Sequence, residues 1–161
     1  MSTQHNSEIK RLTIELDKAS YMLKILMETV TYLIWIKDSS GRYIQVNQAY
    51  ASFCNRTINE LIGKTDEEIW GPDLKGKVFI EDYNPNVIDP VQIERQSINH
   101  PSLGVQYFKI ILAPVVKVNG TALSVTIGIA INITDQIEKE KIAKAAIADI
   151  QRQLDFNKYI K

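Results

Sequence analysis

Side chains that could do chemistry are few in this 161-residue chain, and they stand apart from one another. The single cysteine, Cys54, sits among Ala, Tyr and Phe, the setting of a small buried hydrophobe, and it has no partner for an internal disulfide. Of the two histidines, His5 lies in a polar leading stretch and His100 precedes Pro101. No set of His, Cys, Asp and Glu has the spacing of metal ligands. Asp66, Glu67 and Glu68 crowd the start of a short helical stretch, where the helix dipole accounts for them. There is no nucleophile–base pair, no glycine loop to cradle phosphate and no kinase signature, so catalysis is expected to belong to a domain outside this chain. Arg95 is the one cation with a binding prospect: turned inward from a strand, its guanidinium would hold a carboxylate. Its neighbours Glu94 and Gln96 favour the plainer reading of a solvated arginine.

The elements that would position these residues follow from hydrophobic period. Ile9, Leu12, Leu16, Ala19, Leu23, Leu26 and Val30 alternate in steps of three and four, a helical seam with coiled-coil spacing. It serves either a second chain or the chain's own domain. From Tyr32, YLIWIK reads as a buried strand, DSSG as a turn with Gly41 free to take positive φ, and RYIQV as the returning strand of a hairpin. Asn47 offers an N-cap for a short helix that turns Tyr50 and Phe53 toward the sheet. Thr57 and Glu60 fit a capping box closed by Gly63, and TDEEIWG ends at Gly71-Pro72. Asn84-Pro85 suits the start of another short helix. Three strands then follow, with a turn at Asn119-Gly120. The last is lopsided: Leu123, Val125, Ile127, Ile129 and Ile131 fall on one face, and Ala122, Ser124, Thr126, Gly128 and Ala130 on the other. The bare face leaves room for a packed helix or a ligand. After Thr134 the period returns to helical, with Asp135 and Glu138 as a capping box and Ala143, Ile147, Ile150 and Leu154 as a seam. The helical pattern still runs at Lys161, as expected of a piece cut from a longer protein.

The totals bound the function classes. One core is what this length supports. Lys plus Arg and Asp plus Glu both number 19, with no basic stripe interleaved with aromatics, which argues against nucleic acid as a partner. No apolar run is long enough to cross a bilayer, so no direct membrane contact is expected, and the lone cysteine fits a reducing cytoplasm.

The order is two strands, short helices, three strands and an exit helix, and at this point the chain resembles a PAS domain. The segments that carry the likeness are IWIKDSSGRYIQVNQAYASF, NELIGKTDEEIW, YFKIILAPV and INIT, in the family's order and at about its spacing, over roughly residues 31–134. The resemblance implies an α+β fold: a five-stranded antiparallel sheet with short helices on one face, flanked by an N-terminal helix over residues 1–30 and a C-terminal signalling helix over 135–161. Two positions depart from the family's pattern. Asn132 stands where the closing motif has aspartate, allowing at most a neutral hydrogen bond, and Tyr107 replaces a tryptophan. Asn132, Thr134 and Asp135 would form the signal exit.

By the same resemblance a pocket would lie between the sheet and residues 74–90, with Tyr50, Phe53, Phe79, Tyr83, Val87, Arg95, Tyr107, Ile110 and Ile127 as candidate lining. The cofactor is unknown. Aligning Gly63 with the flavin photosensor motif puts Asp66 where the reactive cysteine belongs, which disfavours a covalent flavin adduct. Residues 73–90 contain no histidine, which disfavours haem. The expected role is a sensory and dimerisation module of a histidine kinase or diguanylate cyclase type of protein, homodimeric, binding a small organic ligand and relaying to an output domain in the same polypeptide. The alternatives are a ligand-free spacer and a non-covalent flavin sensor.

Overall fold

The computed structural model describes residues 2–72, 79, 89–118 and 121–159, with side chains left out at residues 2–4, 116–118, 121–124 and 157–159. Tyr83, Val87, the Asn84-Pro85 start and the Asn119-Gly120 turn lie outside the described residues.

Five strands form one antiparallel sheet. β1 (Leu33–Asp38) and β2 (Tyr43–Val46) make the opening hairpin, and β3 (Val91–His100), β4 (Gly104–Val118) and β5 (Thr121–Asn132) follow late in the chain. The spatial order is β2-β1-β5-β4-β3, so the last strand inserts beside the first and closes the centre of the sheet. Three short helices, α2 (Gln48–Phe53), α3 (Ile58–Leu61) and α4 (Asp66–Trp70), cover one face. Each is too short to persist without that packing.

Local chemistry fixes these pieces. Asp38 Oδ1 accepts from the backbone N–H of Ser40 at 2.8 Å and Arg42 at 3.0 Å, and Gly41 takes φ 75°, which together fold the hairpin turn. Thr57 with Glu60 forms the expected capping box, and Thr65 with Glu68 forms a second at the start of α4. The strand after the turn is an edge, and the chain covers part of it: Tyr43 N donates to Lys64 O and accepts at its carbonyl from Gly63 N.

The lopsided last strand turns its bare side inward. Gly128 and Ala130 are buried and Ile127, Ile129 and Ile131 face away from the helices, half-buried. The reason is Trp35, opposite Gly128 on β1: a Cβ at position 128 would stand 2.1 Å from the indole Cε2. The room expected there is filled by a neighbouring side chain.

The two long helices stand away from this body. α1 (Ser2–Thr29) is exposed from His5 to Leu26, and only Met27 is buried. Its seam of Ile9, Leu12, Leu16, Ala19, Leu23 and Leu26 is uncovered, and Tyr21, Met22 and Ile25 add apolar surface on other sides. Such a helix needs a partner to bury it. α5 (Thr134–Tyr159) is likewise exposed from Glu138 to Phe156. It begins one residue before Asp135, and the Glu138 carboxylate pairs with Lys141 at 2.7 Å, so the expected Asp135 and Glu138 box does not form.

Gly128→Ala is expected to destabilise the domain by about 1–3 kcal/mol or more, because the new methyl can be housed only by moving a closely packed indole. Urea unfolding followed by tryptophan fluorescence checks this; an unchanged midpoint would show that Trp35 yields freely.

Candidate functional site

Beneath the sheet the inward residues of β1, β4 and β3 meet the helices in a cluster of rings. Phe79 lies at its centre, stacked on Trp35 with centroids 5.0 Å apart and set edge-on to Phe108 at 5.0 Å. Tyr50 and Phe53 close the sides at 6.3 and 5.8 Å from Phe79. Ile110 is fully buried in the same cluster. Four of the pocket residues expected from the sequence, Tyr50, Phe53, Phe79 and Ile110, are therefore brought together, joined by Trp35 and Phe108.

Three others are not. Arg95, Tyr107 and Ile127 lie on the opposite face of the sheet, a correction to the expected lining. A bulge between Ile93 and Gln96 inserts an extra residue into β3, so Gln96 rather than Arg95 takes the inward place opposite Phe108. Arg95 is exposed, with its guanidinium 4.8 Å over the Tyr107 ring. Tyr107 faces out because Phe108, next to it, faces in, and Ile127 faces out because Gly128 must lie under Trp35.

One side of the ring cluster is polar, and this feature was not read from the sequence. The Tyr50 and Tyr43 hydroxyls share a short hydrogen bond, and Tyr43 donates to Asp66 Oδ1 at 2.5 Å. The other Asp66 oxygen holds the Lys37 ammonium, which also lies 4.5 Å over the Tyr43 ring. Burial pushes both phenols well above the ordinary tyrosine value, with the nearby Tyr50 and Asp66 adding to the effect on Tyr43, and Cys54 and Asp66 adding to that on Tyr50. Burial also pushes the Cys54 thiol up to about 12, so it rests as the neutral thiol at neutral pH. A signal for this chain of groups existed in the sequence. Lys37 follows Trp35 by two residues on the strand, so it shares the inward face and needs a counter-charge.

His100 is also tied into structure. Its Nε2 bonds the Phe53 carbonyl at 2.6 Å, and its Nδ1 accepts from the backbone N–H of Ser102 and Leu103, both at 3.1 Å. With Nδ1 an acceptor for both, Nε2 carries the proton and donates. Among the described residues no group of His, Cys, Asp and Glu could hold a metal ion.

At the exit from the sheet, Asn132 Oδ1 accepts from Thr134 N at 2.9 Å and its Nδ2 donates to Gln106 at 3.2 Å, a neutral contact. Thr134 Oγ1 accepts from Tyr107 N at 2.9 Å. These bonds pin the start of α5 to β4; Asp135 is exposed and makes no such bond among the described residues.

A family model for the PAS fold matches residues 28–137. The chain belongs to the PAS family. Solved structures agree on the fold. The PAS domain of BvgS from Bordetella pertussis superposes with a TM-score of 0.60 at 20% identity, covering 83% of this chain and 98% of that one. The PAS domain of an HTR-like protein from Haloarcula marismortui gives 0.52 at 17% identity, covering 77% and 99%. VqmA of Vibrio cholera, solved in a complex with ligand and DNA, gives 0.56 at 16% identity over 71% of this chain and 51% of that one. No curated protein matches the chain. Among the described residues no helix is long and apolar enough to cross a membrane.

The raised phenols carry a pH dependence. Because both folded values lie above the ordinary 10.0, unfolded tyrosine ionises first; the stabilisation is complete below pH 10.0 and declines as pH rises beyond it. Absorbance titration is expected to show Tyr43 and Tyr50 ionising only as the fold is lost. Tyr43→Phe, which strands the Asp66 acceptor and the Tyr50 hydroxyl, is expected to cost about 1–3 kcal/mol at neutral pH. A variant as stable as the parent would show that solvent replaces the phenol there.

Proposed function

We propose that this PAS domain is the sensory and dimerisation module of a cytoplasmic signal-transduction protein of the histidine kinase or diguanylate cyclase type. In this reading α1 pairs with α1 of a second copy, the ring cluster around Phe79 responds to a small organic ligand, and α5 carries the change to an output domain in the same polypeptide. The observation that carries the proposal is the pair of long helices that leave the domain uncovered, with apolar seams at coiled-coil spacing. A seam of that length left in water would favour association. Phe79 supports the sensing step. It touches Trp35, Tyr50, Phe53 and Phe108 at once, so a molecule that displaced it would disturb β1, β4 and α2 together. VqmA, which shares the fold over 51% of its chain, was solved in a complex that includes a ligand.

A second reading, the ligand-free spacer, is favoured by the closure of that same cluster: Trp35 fills the space over Gly128, and Phe79 stacks on it. Native mass spectrometry of the protein as purified separates the two. A dimer carrying a reproducible small mass is the result expected of the sensor, and a dimer that stays empty through a ligand screen belongs to the spacer.

Dimerisation has its own check. Leu16→Asp and Leu23→Asp, both at exposed seam positions, are expected to turn the dimer into a monomer without altering the thermal unfolding of the PAS core. Sedimentation equilibrium reads the state; a parent that is monomeric at high concentration would remove the pairing role of α1.

A further inference from the structure

A cleft of about 280 Å³ opens away from the ring cluster, where the end of α2, the end of α4 and the turn between β3 and β4 meet. Its lining divides into two kinds of surface. Ile69, Trp70 and Pro101 supply apolar wall, and Asn55, Arg56 and Ser102 supply hydrogen-bond donors. No carboxylate lines it. Of the two reactive residue types at its edge, Cys54 rests as the neutral thiol and both His100 nitrogens are already hydrogen-bonded. Among the described residues Arg56, like Lys64 and Arg95, is a cation of the domain body that no carboxylate holds. Lys37, Arg42 and Lys109 are each held by a carboxylate, whereas the Arg56 guanidinium has neither a hydrogen bond nor an ion pair among the described residues.

We propose that this cleft is a binding site for a small organic carboxylate with an apolar or aromatic body, distinct from the space beneath the sheet. The carboxylate would be held by Arg56 and the donors beside it, and the body would lie against Trp70 and Ile69. Its volume, at the lower end of that of small-molecule sites, suits a single ring rather than a nucleotide or a peptide. Inorganic anions would leave the apolar wall unused, and an organic cation would meet Arg56. Occupancy would clamp the three elements, of which the end of α2 and the β3–β4 turn are already joined by the His100 imidazole while α4 is not bonded to it, so the site is placed to bias the domain from outside its core.

Benzoate is the test probe, titrated into the full chain with ¹H–¹⁵N chemical shifts as readout. The expected result is saturable movement centred on the Trp70 indole N–H, Arg56 and Ser102, with benzamide, the neutral analogue, binding about tenfold more weakly or less. Arg56→Gln, whose side chain carries no internal bond that the fold needs, is expected to weaken benzoate by about tenfold while leaving the spectrum otherwise unchanged. Absence of saturable shifts, equal binding by Arg56→Gln, or equal binding of benzamide would each overturn the proposal. Shifts centred on Tyr50, Phe108 and Trp35 would also overturn it, while supporting a ligand beneath the sheet, so the failure of this site and the failure of the sensor reading are told apart.

Discussion

The fully buried side chain of Asn47 holds the domain's beginning together. Its Oδ1 accepts from the backbone N–H of Tyr50 at 3.0 Å and Ile34 at 3.1 Å, and its Nδ2 donates to the carbonyls of Met27 at 2.9 Å and Tyr32 at 2.8 Å. Two N–H groups on one atom and two carbonyls on the other leave the amide a single orientation, with its main capacity used. Through it α1's last turn, the link into β1, β1 itself and the first turn of α2 meet at one point. A capping serine would serve α2 alone, and an aspartate would present an acceptor to two carbonyls. Only an amide satisfies both sides without burying a charge.

The rest of the core follows from that junction. With β1 and α2 held together, Trp35 and Tyr50 must share the space between them, and they do so with rings 5.3 Å apart. The indole then needs a glycine on the neighbouring strand, which dictates the facing of β5 and, through the pairing of Leu112 with Gly128 and Ile110 with Ala130, that of β4. A one-residue slip anywhere in this sequence of contacts would exchange the isoleucine face for the bare one. The Lys37–Asp66–Tyr43–Tyr50 chain closes the side of the core nearest β2 with paired rather than isolated polar groups.

How much of this could be read from the sequence depended on the range of the signal. Caps, turns and strand alternation are local, and Asn47, Gly41, the Thr57 box and the run of β4 from Gly104 to Val118 were legible because each depends on residues a few places apart. Tyr50 and Phe53 were legible as inward residues for the same reason. Arg95 was not, because alternation counted from Ile93 fails at a bulge that only the pairing with β4 reveals. Ile127 was misplaced because a strand with one large and one small face does not say which is buried; the indole of Trp35, some ninety residues away, decides it. The Lys37–Asp66 pair joins β1 to α4 across 29 residues, where neither residue alone announces its partner.

The topology also bears on how a change in the core would leave the domain. β1 and β5 run antiparallel and pair Leu33 with Ala130, so the start of the first strand lies beside the end of the last. α1 therefore enters, and α5 departs, at the same end of the sheet and on neighbouring central strands. The two attachments differ in kind. Asn47 and Met27 fix the end of α1 to β1 and α2 through buried bonds, whereas Asn132 and Thr134 fix the start of α5 to β4 at a more exposed place. Bonds open to solvent are exchanged at less cost than buried ones. A shift of β5 against β1 would then be taken up first at Asn132 and Thr134, moving α5 while α1 keeps its seat. Neutral Asn132 adds no charged contact at that end: its amide meets the Gln106 side chain and the Thr134 backbone alone among the described residues.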